Sequence, residues 1–246
     1  MLESAKCEAT PGVQKVAHRL AQIQFVRGFR PSTAGFRFAN SFARQPLFRI
    51  PLPGGSLPIG DAARGLCGGM IFAVRDFFET GLLPPREQAP PPLGSPLFGY
   101  LVRRLIDSWN LPGGPLKYYA WMSLPNDDGA RCRRLMAMTC RQEWPRIKAE
   151  IDSGKPSPLG LIKACSKNPW KVGLNHQVLA YGYELNPANQ ELILHVYDPN
   201  HAGRDDVTIT LGASEASSEI CHSAGAPLRG FFRTRYTFRH PPDLRP

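Results

Sequence analysis

The chain has 246 residues, 42% of them hydrophobic, with 25 prolines and 23 glycines, enough for a real core and many ordered turns but few long helices. No apolar run reaches the roughly 18 residues of a membrane helix, and residues 1–12 are polar and lack the apolar stretch of a secretory signal, so the expectation is a cytoplasmic protein with no membrane partner. The formal charge is +10, but the arginines scatter from Arg19 to Arg245 without a nucleic-acid-binding signature, which reads as a solvated basic surface and not a nucleic-acid interface.

In chain order, residues 13–27 carry helical spacing through Val13, Val16, Leu20 and Ile23. Phe36, Phe38 and Phe42 alternate with polar positions and predict a strand, and 51–60 (PLPGGSLPIG) reads as a loop. Residues 67–80 (CGGMIFAVRDFFET) predict a helix that is apolar almost all round and therefore buried, closed by Gly81. The proline-rich stretch 84–96 reads as an irregular surface connection, with the wall of a cleft as the functional alternative.

A second helix is expected near 97–109 and a third near 142–153, with Pro145 in its first turn and Gly154 ending it. The Leu111–Pro115 stretch (LPGGP) reads as a turn. Beyond Gly154 the pattern changes to strands near 158–162, 176–184, 191–197, 207–211 and 230–238, the second and third forming a hairpin. Helices followed by a mostly antiparallel sheet mean α+β. The expectation is one domain, with a helical half at about 60–155, a sheet half at about 156–240 and an N-terminal extension of about 1–50 packed on it.

Three segments carry candidate chemistry. Cys67 opens the buried helix, where the positive helix terminus lowers a thiol pKa, and the glycines beside it leave a substrate backbone room to approach. The alternative is a small buried hydrophobe. His176 opens a strand, as a core histidine or a base, and Asp198 closes the next strand, as a turn former or a partner to that base. If those strands pair, Asp198 lies near the His176 ring, where a carboxylate fixes the tautomer and stabilises the charged form. A cysteine facing that ring makes a thiolate–imidazolium pair. The six cysteines include no CxxC pair, and Cys132 and Cys140 lack zinc spacing, so neither a metal nor a cofactor is expected.

The order Gly65-Leu66-Cys67-Gly68-Gly69 at a helix, Asn175-His176-Gln177-Val178-Leu179 on a strand and Tyr197-Asp198-Pro199-Asn200 after the next resembles papain-like cysteine peptidases, nearest the bacterial C39-like branch. The step Ile151-Asp152-Ser153-Gly154-Lys155-Pro156 is similar to that branch as well, and the resemblance spans about 60–200. It implies a papain-like α+β fold with Cys67 as nucleophile, His176 as general base and acid, and Asp198 as the orienting residue. Asn200 is the alternative third member, since papain uses an asparagine there. Such enzymes carry a glutamine about six residues before the cysteine to hold the oxyanion, and here that position is Asp61. A carboxylate there would repel an oxyanion, so Asp61 is protonated, points elsewhere, or yields the role to another donor such as the Cys67 N–H. The implied activity is a thiol hydrolase acting on a peptide or protein through an acyl-enzyme. The same triad also runs amide hydrolysis, deamidation and acyl transfer, and a catalytically inactive binding module on this scaffold is the competing expectation.

Overall fold

The computed structural model describes residues 21–44, 48–52, 55–59, 65–124, 129–186, 191–212 and 220–243. The first part of the helix expected at 13–27 lies outside them. Its described remainder is not helical: Gln22–Phe25 is a strand, β1. Ile23 and Phe25 alternate with glutamines, and the backbone pairs with an open edge of a longer strand, which overrides the local helical spacing. A single turn of helix follows, α1 (Pro31–Ala34).

The phenylalanines at 36, 38 and 42 do not form a strand. They plug an irregular segment into the core, Phe36 stacking on Phe38 at 4.9 Å and meeting Phe77 edge-on at 6.2 Å. Burial of three rings produced the alternation, not a pleat. The loop expected at 51–60 is instead part of an antiparallel ribbon, β2 (Phe48–Leu52) with β3 (Gly55–Ile59). Each strand of a two-stranded ribbon has one unpaired edge, where Pro51 and Pro58 forfeit no ladder bond.

The helix expected at 67–80 spans those residues as α2 (Cys67–Thr80), buried from Gly68 to Phe77, with Gly81 in the left-handed region at φ 70°. The chain is then irregular until α3 (Pro96–Ser108), whose first turn is capped by the Ser95 hydroxyl accepting from the Phe98 N–H at 3.2 Å. The Leu111–Pro115 stretch is more than a turn, because α4 begins inside it (Gly113–Met122). Two glycines of poor helix propensity hid that start. Gly114 is demanded there, since a Cβ would lie 1.8 Å from the Trp109 carbonyl.

The polar α5 (Gly129–Met138) carried no sequence signal; it runs through one π turn at Thr139–Glu143 into α6 (Trp144–Asp152). Pro145 lacks an N–H and crowds the carbonyl four residues back, and the wider π turn accommodates that defect.

The sheet half contains β4 (Ser157–Ile162), β5 (His176–Asn186), β6 (Glu191–Tyr197), β7 (Thr208–Gly212), β8 (Ile220–His222) and β9 (Gly230–Arg233). The order is β8-β7-β6-β5-β4-β9, all neighbours antiparallel, and β1 shares an edge of β5 with β4. The front of β5 pairs with β4 and its back with β1. β9 is shorter than the expected 230–238 because the chain leaves the sheet to bind the helices. There Asp76, fully buried, accepts from Tyr100 Oη at 2.6 Å, Tyr236 Oη at 2.6 Å and the Arg239 N–H at 3.0 Å. Arg104, also fully buried, places Nε 2.7 Å from Asp76 Oδ2 and donates to Asp107 and the Thr237 carbonyl.

Gly69 lets α2 and α3 touch backbone to backbone. A Cβ at Gly69 would sit 2.1 Å from the Leu101 carbonyl oxygen. No rotamer change relieves a clash with backbone, so Gly69→Ala is expected to lose about 1–3 kcal/mol despite the better helix propensity of alanine. A lower urea midpoint at unchanged slope would show it; an unchanged or higher midpoint would mean the helices separate freely.

Candidate active site

The β5–β6 hairpin runs from Asn186↔Glu191 back to Leu179↔Tyr197, with a bulge between Ala180 and Gly182. Extending that register sets Asp198 across from Val178, which shares a face with His176 because side chains alternate along a strand. The diagonal closes: His176 Nε2 is 2.7 Å from Asp198 Oδ1, and both side chains are buried. Asp198 Oδ1 also accepts the Asn200 N–H at 2.8 Å, and His222 Nε2 lies 3.4 Å from Oδ2 on its other side.

With Nε2 held by Asp198, Nδ1 is the ring nitrogen left for Cys67, which hydrogen-bonds the imidazole from the start of α2. Burial opposes both charges. The Cys67 thiol is nevertheless lowered, by the His176 charge, its hydrogen bond, and the N–H groups of Gln177 and Gly68. His176 is pushed up to about 10 against its burial, by the Cys67 thiolate and by Asp198. The Asp198 carboxyl is held below its ordinary value despite burial, chiefly by the hydrogen bond to His176. Burial lowers His222, which leaves it a neutral neighbour at neutral pH. The arrangement lines up a thiol held below its ordinary value, an imidazole held above its own and a carboxylate behind that ring.

The third-member alternative is positioned differently. Asn200 supports Asp198 through its backbone, while its side-chain oxygen accepts from Asn40 Nδ2 at 3.0 Å. Asn40 was not visible as a site residue in the sequence, because it sits in an irregular segment with no periodicity. Its Oδ1 accepts the Leu66 N–H at 2.6 Å and its own N–H donates to the Pro199 carbonyl at 2.8 Å. One amide thus ties the approach to Cys67 to the loop that carries Asp198. Asp61 lies outside the described residues.

The glycines after Cys67 do not clear space for a substrate as expected. A Cβ at Gly68 would meet Ser108 Oγ at 2.2 Å and Gln177 Nε2 at 2.6 Å. Those side chains, hydrogen-bonded to each other at 3.2 Å, wedge against the first turn of α2 and lock it to β5. Tyr118 completes the wall, its hydroxyl 3.4 Å from the His176 carbonyl. Burial, and then the Cys67 charge, push that phenol well above its ordinary value. Cys67, Cys140, Cys165 and Cys221 are free thiols. Among the described residues no cluster of three His, Cys, Asp or Glu is placed to hold a metal, and no helix is long and apolar enough to cross a membrane.

No family model matches the chain, and neither does a curated protein or a solved structure. The geometry of this site therefore carries the functional reading.

Proposed function

We propose that the protein is a papain-like thiol hydrolase that cleaves a peptide or isopeptide bond through an acyl-enzyme. The observation that supports it is the chain of contacts from Cys67 through His176 to Asp198, with the thiol lowered and the imidazole raised. The Cys67 thiolate attacks the carbonyl carbon and a C–S bond forms. The oxyanion is met by the Cys67 N–H, which lies in the first turn of α2 and has no helical acceptor. The C–N bond breaks as the His176 Nδ1 proton passes to the leaving amine. Neutral His176 then takes a proton from water, the hydroxide adds to the thioester, and the thiolate departs as the acid forms. Asp198 holds the ring and its charge throughout.

The reading is tested with fluorogenic peptide and isopeptide libraries on the wild type and Cys67→Ser, with intact-mass trapping of a Cys67 adduct. Turnover is expected to fall by about 10³-fold or more in the variant. Turnover independent of Cys67, or a Cys67 that iodoacetamide modifies no faster than Cys140, Cys165 and Cys221, would sink it.

Asp198→Asn separates orientation from charge. The amide still reaches the ring, but one of the influences raising His176 is gone, so the alkaline limb of the pH–rate profile moves below about 10. The rate itself is expected to fall about 10²–10⁴-fold. An unmoved alkaline limb would mean that Asp198 carries no charge in the working site.

A further inference from the structure

A cleft of about 550 Å³ opens between the α3–α4 connection, α4 and the segment that follows β9. Lys117, Arg146, Arg233 and Arg235 line it, and no carboxylate does. Two carboxylates stand behind the wall. Glu143 is buried and lies 2.7 Å from Lys117 Nζ and 3.6 Å from Arg146. Glu150 lies 3.2 Å from Arg233 and shares itself with Arg75. Four cations thus face two partly spent anions, and Arg235 is exposed without an ion-pair partner among the described residues. The hydroxyl of Thr234, 4% exposed and lining the same cleft, has no hydrogen-bond partner in the structure. Gly113 and Gly114 bring the N-terminal turn of α4 to the rim, where the Gly113 N–H has no helical acceptor and the Gly114 N–H is taken by the Asn110 carbonyl. A surplus of cations and an unpartnered buried hydroxyl together suit a carboxylate.

The cleft also touches the catalytic wall. Ser108 and Tyr118 line it, and these same side chains contact Gln177 and the His176 backbone. Ser108 and Tyr118 therefore border the cleft on one side and the residues around Cys67 and His176 on the other. We propose that the cleft is a specificity subsite for an acidic peptide, one whose Asp or Glu side chains flank the bond to be cleaved. This rests on the thiol-hydrolase reading above.

The test separates binding from turnover. Three labelled peptides, identical except for Glu, Gln or Lys flanking a central amide, are titrated by fluorescence anisotropy onto Cys67→Ala, which cannot turn them over. The Glu peptide is expected to bind about tenfold or more tighter than the Gln peptide, with the difference shrinking as salt is added. Arg146→Glu with Arg235→Glu is expected to reverse the order in favour of Lys. Both residues are exposed, and if the double variant melts early, Arg235→Gln alone must still narrow the Glu-to-Gln ratio. Equal binding of the three peptides, no binding of any, or a preference that survives these variants overturns the subsite. The same peptides are then offered to the wild type. An arginine-dependent Glu preference without cleavage defeats the hydrolase reading and leaves an acidic-peptide site. Cleavage of Glu and Gln peptides at equal kcat/KM defeats the subsite and leaves the hydrolase.

Discussion

His176→Ala is expected to move the iodoacetamide inflection of Cys67 from below to above the ordinary thiol value of about 8.5. Burial is the largest influence on this thiol and acts upward. In the wild type the imidazolium outweighs it, and with the ring removed only the N–H groups of Gln177 and Gly68 remain on the lowering side. At pH 6.5 a thiol with a pKa above 8.5 is about 1% thiolate or less, so alkylation there should be slower than in the wild type. Hydrolysis should fall further, by about 10³-fold or more, because the proton donor to the leaving amine is lost as well. An unmoved inflection would show that the helix terminus alone activates the cysteine. Stability should follow the same charges. His176 is raised, so its contribution is fully present below about 6.5 and is lost as pH climbs through about 10. Asp198 is lowered, so its contribution is present above about 3.9 and is lost as pH falls through its depressed value.

Asp76→Ala should be the most destabilising single change in the helical layer. Arg104 would keep Asp107 and the Thr237 carbonyl but lose the carboxylate that meets its charge inside the core. Breaking such a buried pair costs about 3–5 kcal/mol, a large share of the roughly 5–15 kcal/mol that holds a typical domain together. For a chain of this size each kcal/mol shifts Tm by about 2–4 °C, so a thermal melt should fall by about 6–20 °C. The double variant Asp76→Leu with Arg104→Met should recover part of the loss, since it leaves no orphaned charge. A shift under about 2 °C for Asp76→Ala would mean that water satisfies Arg104 in place of the carboxylate.

The site was more legible in the sequence than its supports. Cys67, His176 and Asp198 sit at ends of strongly patterned elements: a helix apolar almost all round, and two paired strands close in sequence. Such ends are located by the pattern they terminate. Asn40, Ser108 and Tyr118 are joined to them only by tertiary contact, and no spacing rule reaches from an irregular segment at 40 to a loop at 199. The same limit explains the errors near the N-terminus. A period-2 run of phenylalanines marks a strand or three rings buried from a loop, and only packing against Phe77 and Phe98 decides between them. The glycines after Cys67 stood out correctly as unusual, but their reason lay across the interface, in Leu101, Ser108 and Gln177.

The clasp of Tyr236 and Arg239 on Asp76 has a consequence for how the protein is made. Synthesis delivers Asp76 roughly 160 residues before its last ligands, an interval of about 8–30 s at 5–20 residues per second. Throughout that time the helix bearing Cys67 lacks the partners of its buried carboxylate, and for most of it lacks His176 and Asp198 too. A nascent chain thus carries Cys67 first without the imidazole and carboxylate that face it in the fold, and longer still without the contacts that close over Asp76 on the same helix.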